Sequence, residues 1–337
     1  MPFSFFDATR NFYRDHQNFS TVSQSAAVGL FNLRREVSAV YDAAGYFSSK
    51  TKPDHDMLRR RFLAGSSLTK GDFLQLAAPD SFADDLAVLV RMSLMTNISL
   101  FEGWQDAISE EYGLSNNYKQ ALEWPSQSSY QRLKSNGQSK GPGCTDVLAR
   151  LRNGEPSALM VNSFGPALTG AAVYSLNNLD DFYICFRAWK EARNCITHGG
   201  GRANSRFIAD AQRLTGIAAR GLPPLKWFPA LPPLAEGEFI DIPFKDMLAF
   251  SEVLRRIVCT VDAELAQTKR GERVFLKRFV ADRRHKKYEV PFEKARRHKV
   301  ISEICRRINF PPPAQLAEID EAVTATMGRF LRPPFDS

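Results

Sequence analysis

Several features are scarce in this chain of 337 residues. No unbroken apolar run approaches the ~18 residues that a membrane-spanning helix needs. Residues 1–16 lack the long apolar stretch and small-residue cleavage site of a secretory signal. These absences predict a cytoplasmic protein with no membrane partner. Cysteine occurs five times, at Cys144, Cys185, Cys195, Cys259 and Cys305. An odd number, wide spacing and positions mostly inside apolar runs predict reduced thiols and no disulfide framework. No two of them form a Cys-x-x-Cys pair, and only Cys195 lies near a histidine, which argues against a zinc site. There is no internal repeat and no glycine-rich phosphate loop behind a strand. No metal or cofactor is expected.

The composition that remains is that of a soluble globular chain, 44% hydrophobic and 24% charged, long enough to bury a sizeable core. The net charge of +8 is unevenly placed. Residues 269–307 hold 15 Lys/Arg against 5 Asp/Glu, a net of +10, so the rest of the chain carries −2. Such a stretch attracts polyanions, nucleic acid first; its plainer reading is a solvated helical face. Within it, Arg283, Arg284, Lys286 and Lys287 flank Tyr288, and Arg296, Arg297 and Lys299 follow. Basic side chains around an aromatic suit phosphate contact plus base stacking, which makes these seven the candidate RNA-docking residues.

Hydrophobic periodicity predicts helices over 22–48 and 53–64, broken near Lys52-Pro53, and a long helix over 81–112 capped by Asp80-Ser81 and ended by Gly113. Residues 113–145 are polar and read as a loop or insertion. A short helix is predicted from Thr145, then a helix over 180–198 and a further short helix or turn over 204–219. The Pro-rich stretch that follows holds one alternating segment, 238–242, predicted as a strand. Helices over 246–267, 291–308 and 314–331 complete the pattern, with 268–291 basic and irregular. The four tryptophans, Trp104, Trp124, Trp189 and Trp227, are expected to pack in the core. Ser163 has no partnered nucleophile context, which argues against a serine hydrolase.

The most informative stretch is the predicted helix over 180–198. An apolar stripe of Phe182, Cys185, Phe186, Trp189, Ala192 and Ile196 carries Arg193-Asn194 and then His198. Three glycines follow, of which Gly199 could take the left-handed cap conformation. The helix C-terminus favours an imidazolium there. A permanent cation, an amide and a titratable ring are thus placed close together. A second Arg-to-His spacing, Arg278 to His285, lies in the basic stretch with Phe279 after the arginine and reads as accidental. Glu102 interrupts the apolar pattern after Phe101. It reads as a solvated helix residue, or alternatively as a carboxylate that orients Arg193 or His198 across the bundle.

RNCITH at 193–198 resembles the motif of the HEPN superfamily: an arginine, a polar residue that is often asparagine, a spacer and a histidine. The order of a long helix, an insertion, the motif helix, a Gly/Pro-rich connection and another long helix resembles the four-helix HEPN bundle. The resemblance covers roughly 80–267. It implies an all-α, HEPN-like antiparallel helical bundle at 79–267 with an insertion at 113–178. Residues 1–78 would form an N-terminal helical extension and 268–337 a basic C-terminal one. It also implies a metal-independent endoribonuclease acting as a toxin or antiviral-defence effector. The catalytic residues would be Arg193 and His198, supported by Asn194, in a homodimer with a composite active site. RNA would be the substrate, and an antitoxin or sensor a possible partner. In the subgroup controlled by nucleotide transfer a tyrosine stands two residues after the histidine; here Gly200 does, so that control is not implied.

The chemistry suits these residue types. RNA can be cut by its own 2′-OH attacking the adjacent phosphate, leaving a 2′,3′-cyclic phosphate. An imidazole titrates near neutrality and can move the proton. A guanidinium stays charged and grips phosphate oxygens. DNA lacks the 2′-OH and would be spared. The alternative reading is a non-catalytic RNA- or protein-binding helical module working through the basic C-terminal segment; a third is a helical subunit of a larger complex.

Overall fold

The computed structural model describes residues 4–47, 54–67, 71, 73–77, 81–130, 141–220, 225–286 and 293–327. Helix α1 (Asp7–Phe47), α2 (His55–Phe62) and α3 (Phe73–Ala77) precede the long α4 (Ser81–Tyr112). Four short helices follow: α5 (Asn116–Ala121), α6 (Cys144–Gly154), α7 (Ala158–Ser163) and α8 (Gly165–Thr169). Then come α9 (Leu179–His198), α10 (Ser205–Arg220) and α11 (Phe244–Ala266). Last are α12 (Lys269–Lys286), α13 (Lys294–Arg307) and α14 (Leu316–Met327). No strand occurs among the described residues, and the fold is all-α.

Helix α9 runs through the middle and packs against α4, α10 and α11. Its apolar residues recur at three- and four-residue intervals, so they share one side of the helix. Phe182, Tyr183, Cys185, Phe186, Trp189 and Ala192 are all fully buried. The Trp189 ring lies parallel to that of Phe250 on α11, with centroids 4.6 Å apart, and its indole N–H donates to the Pro229 carbonyl. Phe186 meets Phe101 of α4, centroids again 4.6 Å apart. Each such ring contributes about 1.5–3 kcal/mol through burial. The helix that carries the Arg-Asn-His motif is therefore held firmly along most of its length. Among the described residues, α4 is the one helix long and apolar enough to cross a membrane by length and composition. Here its Leu94, Ile98, Phe101, Trp104 and Ile108 are core residues.

Helix α1 begins at Asp7, well before the predicted start at 22, for a reason that no local signal reveals. A helix start leaves unpaired N–H donors at the positive end of the macrodipole. Here carboxylates from distant helices accept them. Asp262 of α11 accepts from Phe5 N–H (2.6 Å) and Phe6 N–H (3.0 Å), and Glu111 of α4 accepts from Asp7 N–H and Ala8 N–H. Burial lifts the Asp262 carboxyl to about 6, while those N–H bonds pull the other way. Arg278 of α12 adds ion pairs to Asp7 and Glu111. Phe5 and Phe6, Phe275 and Phe279 of α12, Ile301 and Ile304 of α13, and Phe310 all join the same hydrophobic cluster as α9. Parts of both expected extensions thus share one core with the central bundle.

Three further expectations are corrected. The stretch 268–291 is helical through Lys286, because Phe275 and Phe279, four apart, bury one face of α12. The predicted strand at 238–242 is no strand; a single bridge joins Phe239 to Arg202. Trp227 is 62% exposed and outside the core. The insertion at 113–145 contains α5. Asp80, Lys287 and Tyr288 lie outside the described residues.

Candidate functional site

Two neighbouring rows of polar side chains run along α9, buried at Arg187 and Glu191 and exposed at His198. Lys190 and Arg193 form one row and face α4. There Glu102 accepts from Arg193 Nη2 through both carboxylate oxygens, at 3.1 and 3.0 Å, and from Lys190 at 2.8 Å. Lys190 also reaches Glu123 at 3.0 Å. The second row is Arg187, Glu191, Asn194 and His198, spaced four, three and four apart, which places them on one helical face. Arg187 and Glu191 form a nearly buried ion pair of 2.9 Å, and the Arg187 guanidinium lies 3.9 Å from the Trp124 ring centre. Asn194 links the rows. Its Oδ1 accepts from Arg193 Nη1 at 3.2 Å, and its Nδ2 reaches Glu191 at 3.5 Å.

The structure therefore gives Glu102 the orienting role for Arg193 that its position in the apolar pattern left as the alternative. Arg193 keeps only 20% of its side chain exposed, and Glu102 33%. A partly exposed pair of this kind contributes about 0.2–1 kcal/mol, so a phosphate oxygen could displace the carboxylate at little cost. His198 ends α9 and is exposed. Along an α-helix a five-residue step rotates about 140° and advances about 7.5 Å. Arg193 and His198 of one chain consequently point in different directions.

The turn after His198 differs from expectation in one residue. Gly199 has φ −104, while Gly200 and Gly201 take φ +60 and +79. The left-handed positions, where a side chain is strained, thus fall one and two residues later. Gly199 N–H and Gly201 N–H both return to the Cys195 carbonyl, at 2.8 and 3.0 Å, which closes the helix end beneath the histidine.

The basic segment is less free than its composition suggests. Lys269, Arg270, Arg273, Arg278, Arg296, Arg297 and Arg307 all pair with carboxylates. Several of those acids lie far off in sequence: Glu155, Asp7, Glu111 and Asp320. Arg297 in particular turns onto Asp320 of α14 at 2.5 Å, and Arg296 pairs with Glu293 at 3.0 Å. Lys299 is exposed. Arg283, Arg284 and Lys286 are helical residues of α12 whose side chains, like Lys287 as a whole, lie outside the described residues. Four of these cations, Arg270, Arg273, Arg278 and Arg297, pair with acids outside the segment and tie it to the rest of the molecule.

The Arg-to-His spacing occurs a third time, at Arg10-Asn11 and His16 with five residues between. That histidine belongs to the core. It is 3% exposed, stacks on Phe12 at 5.2 Å, and its Nε2 lies 2.7 Å from Ser251 Oγ of α11. Desolvation first, then the Arg255 charge, pushes it down to about 4. With Tyr13, Ser20 and Arg255 it lines a cleft of 440 Å³ between α1 and α11. Ser251 sits in the interior of α11, where backbone N–H groups are spent in the helical ladder. No backbone oxyanion donor is at hand, and an acyl-transfer reading of this Ser–His pair finds no support.

No group of three or more His, Cys, Asp or Glu that could hold a metal occurs among the described residues. All five cysteines are free and buried. Burial pushes the thiols of Cys144, Cys259 and Cys305 up to about 12, out of reach of reactive-thiolate chemistry. Comparison with protein-family models, curated proteins and solved structures returns no match for this chain.

Proposed function

We propose that the chain is a metal-independent endoribonuclease of the HEPN type, using the exposed end of α9 as its site. The observation that carries this reading is the placement of His198. It stands exposed at the end of a helix that the core holds rigid, beyond an arginine that Glu102 and Asn194 position. His198 would move the proton between the 2′-OH and the leaving 5′-oxygen. Arg193, released from Glu102, would hold the non-bridging phosphate oxygens as charge builds on them. Because the two side chains diverge by about 140° along one helix, the reading includes a homodimer in which one copy's Arg193 works with the other copy's His198. A toxin or defence role in the cytoplasm, under an antitoxin or sensor, belongs to the same proposal.

The test is incubation of the intact protein with total cellular RNA in EDTA, beside Arg193→Ala and His198→Ala. The expected result is cleavage by the parent alone, with 2′,3′-cyclic phosphate ends, and restored cleavage on mixing the two inactive variants as hybrid dimers. A metal requirement, or full activity in His198→Ala, would overturn it. The rival reading is RNA binding through 269–307 without cleavage; of its candidate docking residues, Arg296 and Arg297 are engaged with carboxylates.

A further inference from the structure

The turn after His198 is stitched to a second strip of chain, and the stitching leaves one aromatic ring outside. Ala203 N–H donates to Glu238 O (2.8 Å), Gly237 N–H to Ala203 O (2.9 Å) and Ile240 N–H to Gly201 O (2.9 Å). Arg202 Nη1 donates to Gly237 O at 2.8 Å, and its guanidinium lies 4.0 Å from the centre of the Phe239 ring. Gly201 sits against the same ring: a methyl group on its α-carbon would be 3.7 Å from Phe239 Cδ1. Phe239 is nonetheless 56% exposed.

An exposed ring normally costs hydrophobic free energy and gains rotational freedom. This one is fixed by backbone on both sides and braced by a cation, against Gly201 and Arg202 of the turn that follows α9. The strip that carries it is further set by Ile240 and Asp241, which with Ile196 and Arg91 line a small void between α9 and α4. The surroundings are polar, so the ring is no part of a broad apolar patch of the kind that docks another protein. Nor is the surface strongly charged: exposed Arg91, Arg202 and Arg206 are matched by exposed Glu236, Glu238 and Asp241. A rigid flat ring with a stacked guanidinium in a nearly neutral setting suits a flat, polarisable, weakly polar ligand.

We infer that Phe239 and Arg202 form a stacking platform for one unpaired nucleobase, which seats a single-stranded RNA beside His198. The ligand class rests on the ribonuclease reading above. Base-on-aromatic stacking is tolerant of sequence and needs an unstacked base, so the platform selects loops and single strands over duplex. It would grip the nucleotide next to the scissile phosphate and leave Arg193 to the phosphate itself.

The test uses 2′-O-methylated single-stranded oligonucleotides, which this mechanism cannot cut, each with 2-aminopurine at one position. The intact protein is compared with Phe239→Ala, Phe239→Tyr and Arg202→Ala, after melting curves establish that all are folded. The expected result is quenching of the fluorophore at one position, retained by Phe239→Tyr. Phe239→Ala should lose the quench and about 5- to 100-fold in affinity, the range stacking of one base supplies, with an unchanged dependence on salt, since no phosphate contact is removed. Equal affinity and quenching in Phe239→Ala, or no binding by the parent, would overturn the inference. The two proposals fail separately. Phe239-dependent quenching by a parent that leaves ordinary RNA intact keeps the platform and removes the nuclease. His198-dependent cleavage with Phe239→Ala at parental rate and affinity does the reverse.

Discussion

His198 and His16 each follow an Arg-Asn pair at a similar spacing, and the fold gives them opposite lives. His198 closes α9 at the surface, over a glycine turn. His16 is 3% exposed between α1 and α11, hydrogen-bonded to Ser251 and held neutral by desolvation. Their arginines differ too. Arg193 is positioned across the bundle by Glu102, whereas Arg10 turns back on the start of its own helix, to Asp7 and the Phe5 carbonyl. A spacing rule can say that two side chains are neighbours along the chain. It cannot say how exposed each ring is, and proton transfer requires that a substrate come within hydrogen-bond reach of it.

The sharpest way to break this comparison is to exchange the roles. His198→Ala should lower cleavage about 10²- to 10⁴-fold, the worth of a positioned acid–base group, and leave the melting temperature within a degree or two. His16→Ala should do the opposite. It should destabilise by about 2–4 kcal/mol through the lost stack and the orphaned Ser251 hydroxyl, with cleavage per folded molecule retained. If both variants lose activity while folded, the assignment of the two histidines is wrong.

The next largest effect is on stability against pH. A histidine that is neutral when folded and ordinary when unfolded binds fewer protons in the native state between about 6.5 and about 4. Its contribution is fully present above the upper value and is lost as pH falls through that window, about 3 kcal/mol in all. Asp262 acts with the opposite sign. Its carboxyl is raised from 3.8 to about 6, so the native state holds the proton more tightly. Its contribution is present below about 4 and lost as pH rises to about 6, again about 3 kcal/mol. The parent should therefore show a shallow profile between pH 4 and 6.5 in chemical denaturation. His16→Gln should make stability fall with rising pH there, and Asp262→Asn should make it rise. Parallel profiles in the three proteins would refute both assignments.

The smallest effect is at Glu102. Glu102→Gln should cost under about 1 kcal/mol of stability, as for other partly exposed pairs. If the carboxylate positions Arg193, it should also lower cleavage several-fold, with the loss in kcat and little change in KM. A change in stability alone would make Glu102 a structural partner only.

Much of the fold was legible along the chain. Helices α4 and α9 fall within a residue or two of the predicted bounds, because each pairs a long three-to-four periodicity with a glycine stop. Gly113 has φ +76 and ends α4 as expected. The start of α1 was not legible, since its donors are satisfied by Asp262 and Glu111, which stand more than a hundred residues away. Helix α12 was obscured by its charge, although Phe275 and Phe279 four apart were a signal that could have been read. At the candidate site, residue identities were visible in sequence, whereas the Arg193–Glu102 contact was one of two open readings and the Phe239 platform was hidden inside a supposed strand.

By itself the sequence determined that this protein is helical, that its buried helix carries Arg193, Asn194 and His198, and that its positive charge is concentrated near the C-terminus. These follow from periodicity and composition, which are properties of neighbours along the chain. Only the tertiary structure decided which histidine is exposed, which carboxylate holds Arg193, which of the described C-terminal cations are paired, and which ring is left exposed beside the turn after α9. Those depend on desolvation and on contacts between residues more than 250 positions apart, and no local pattern encodes them.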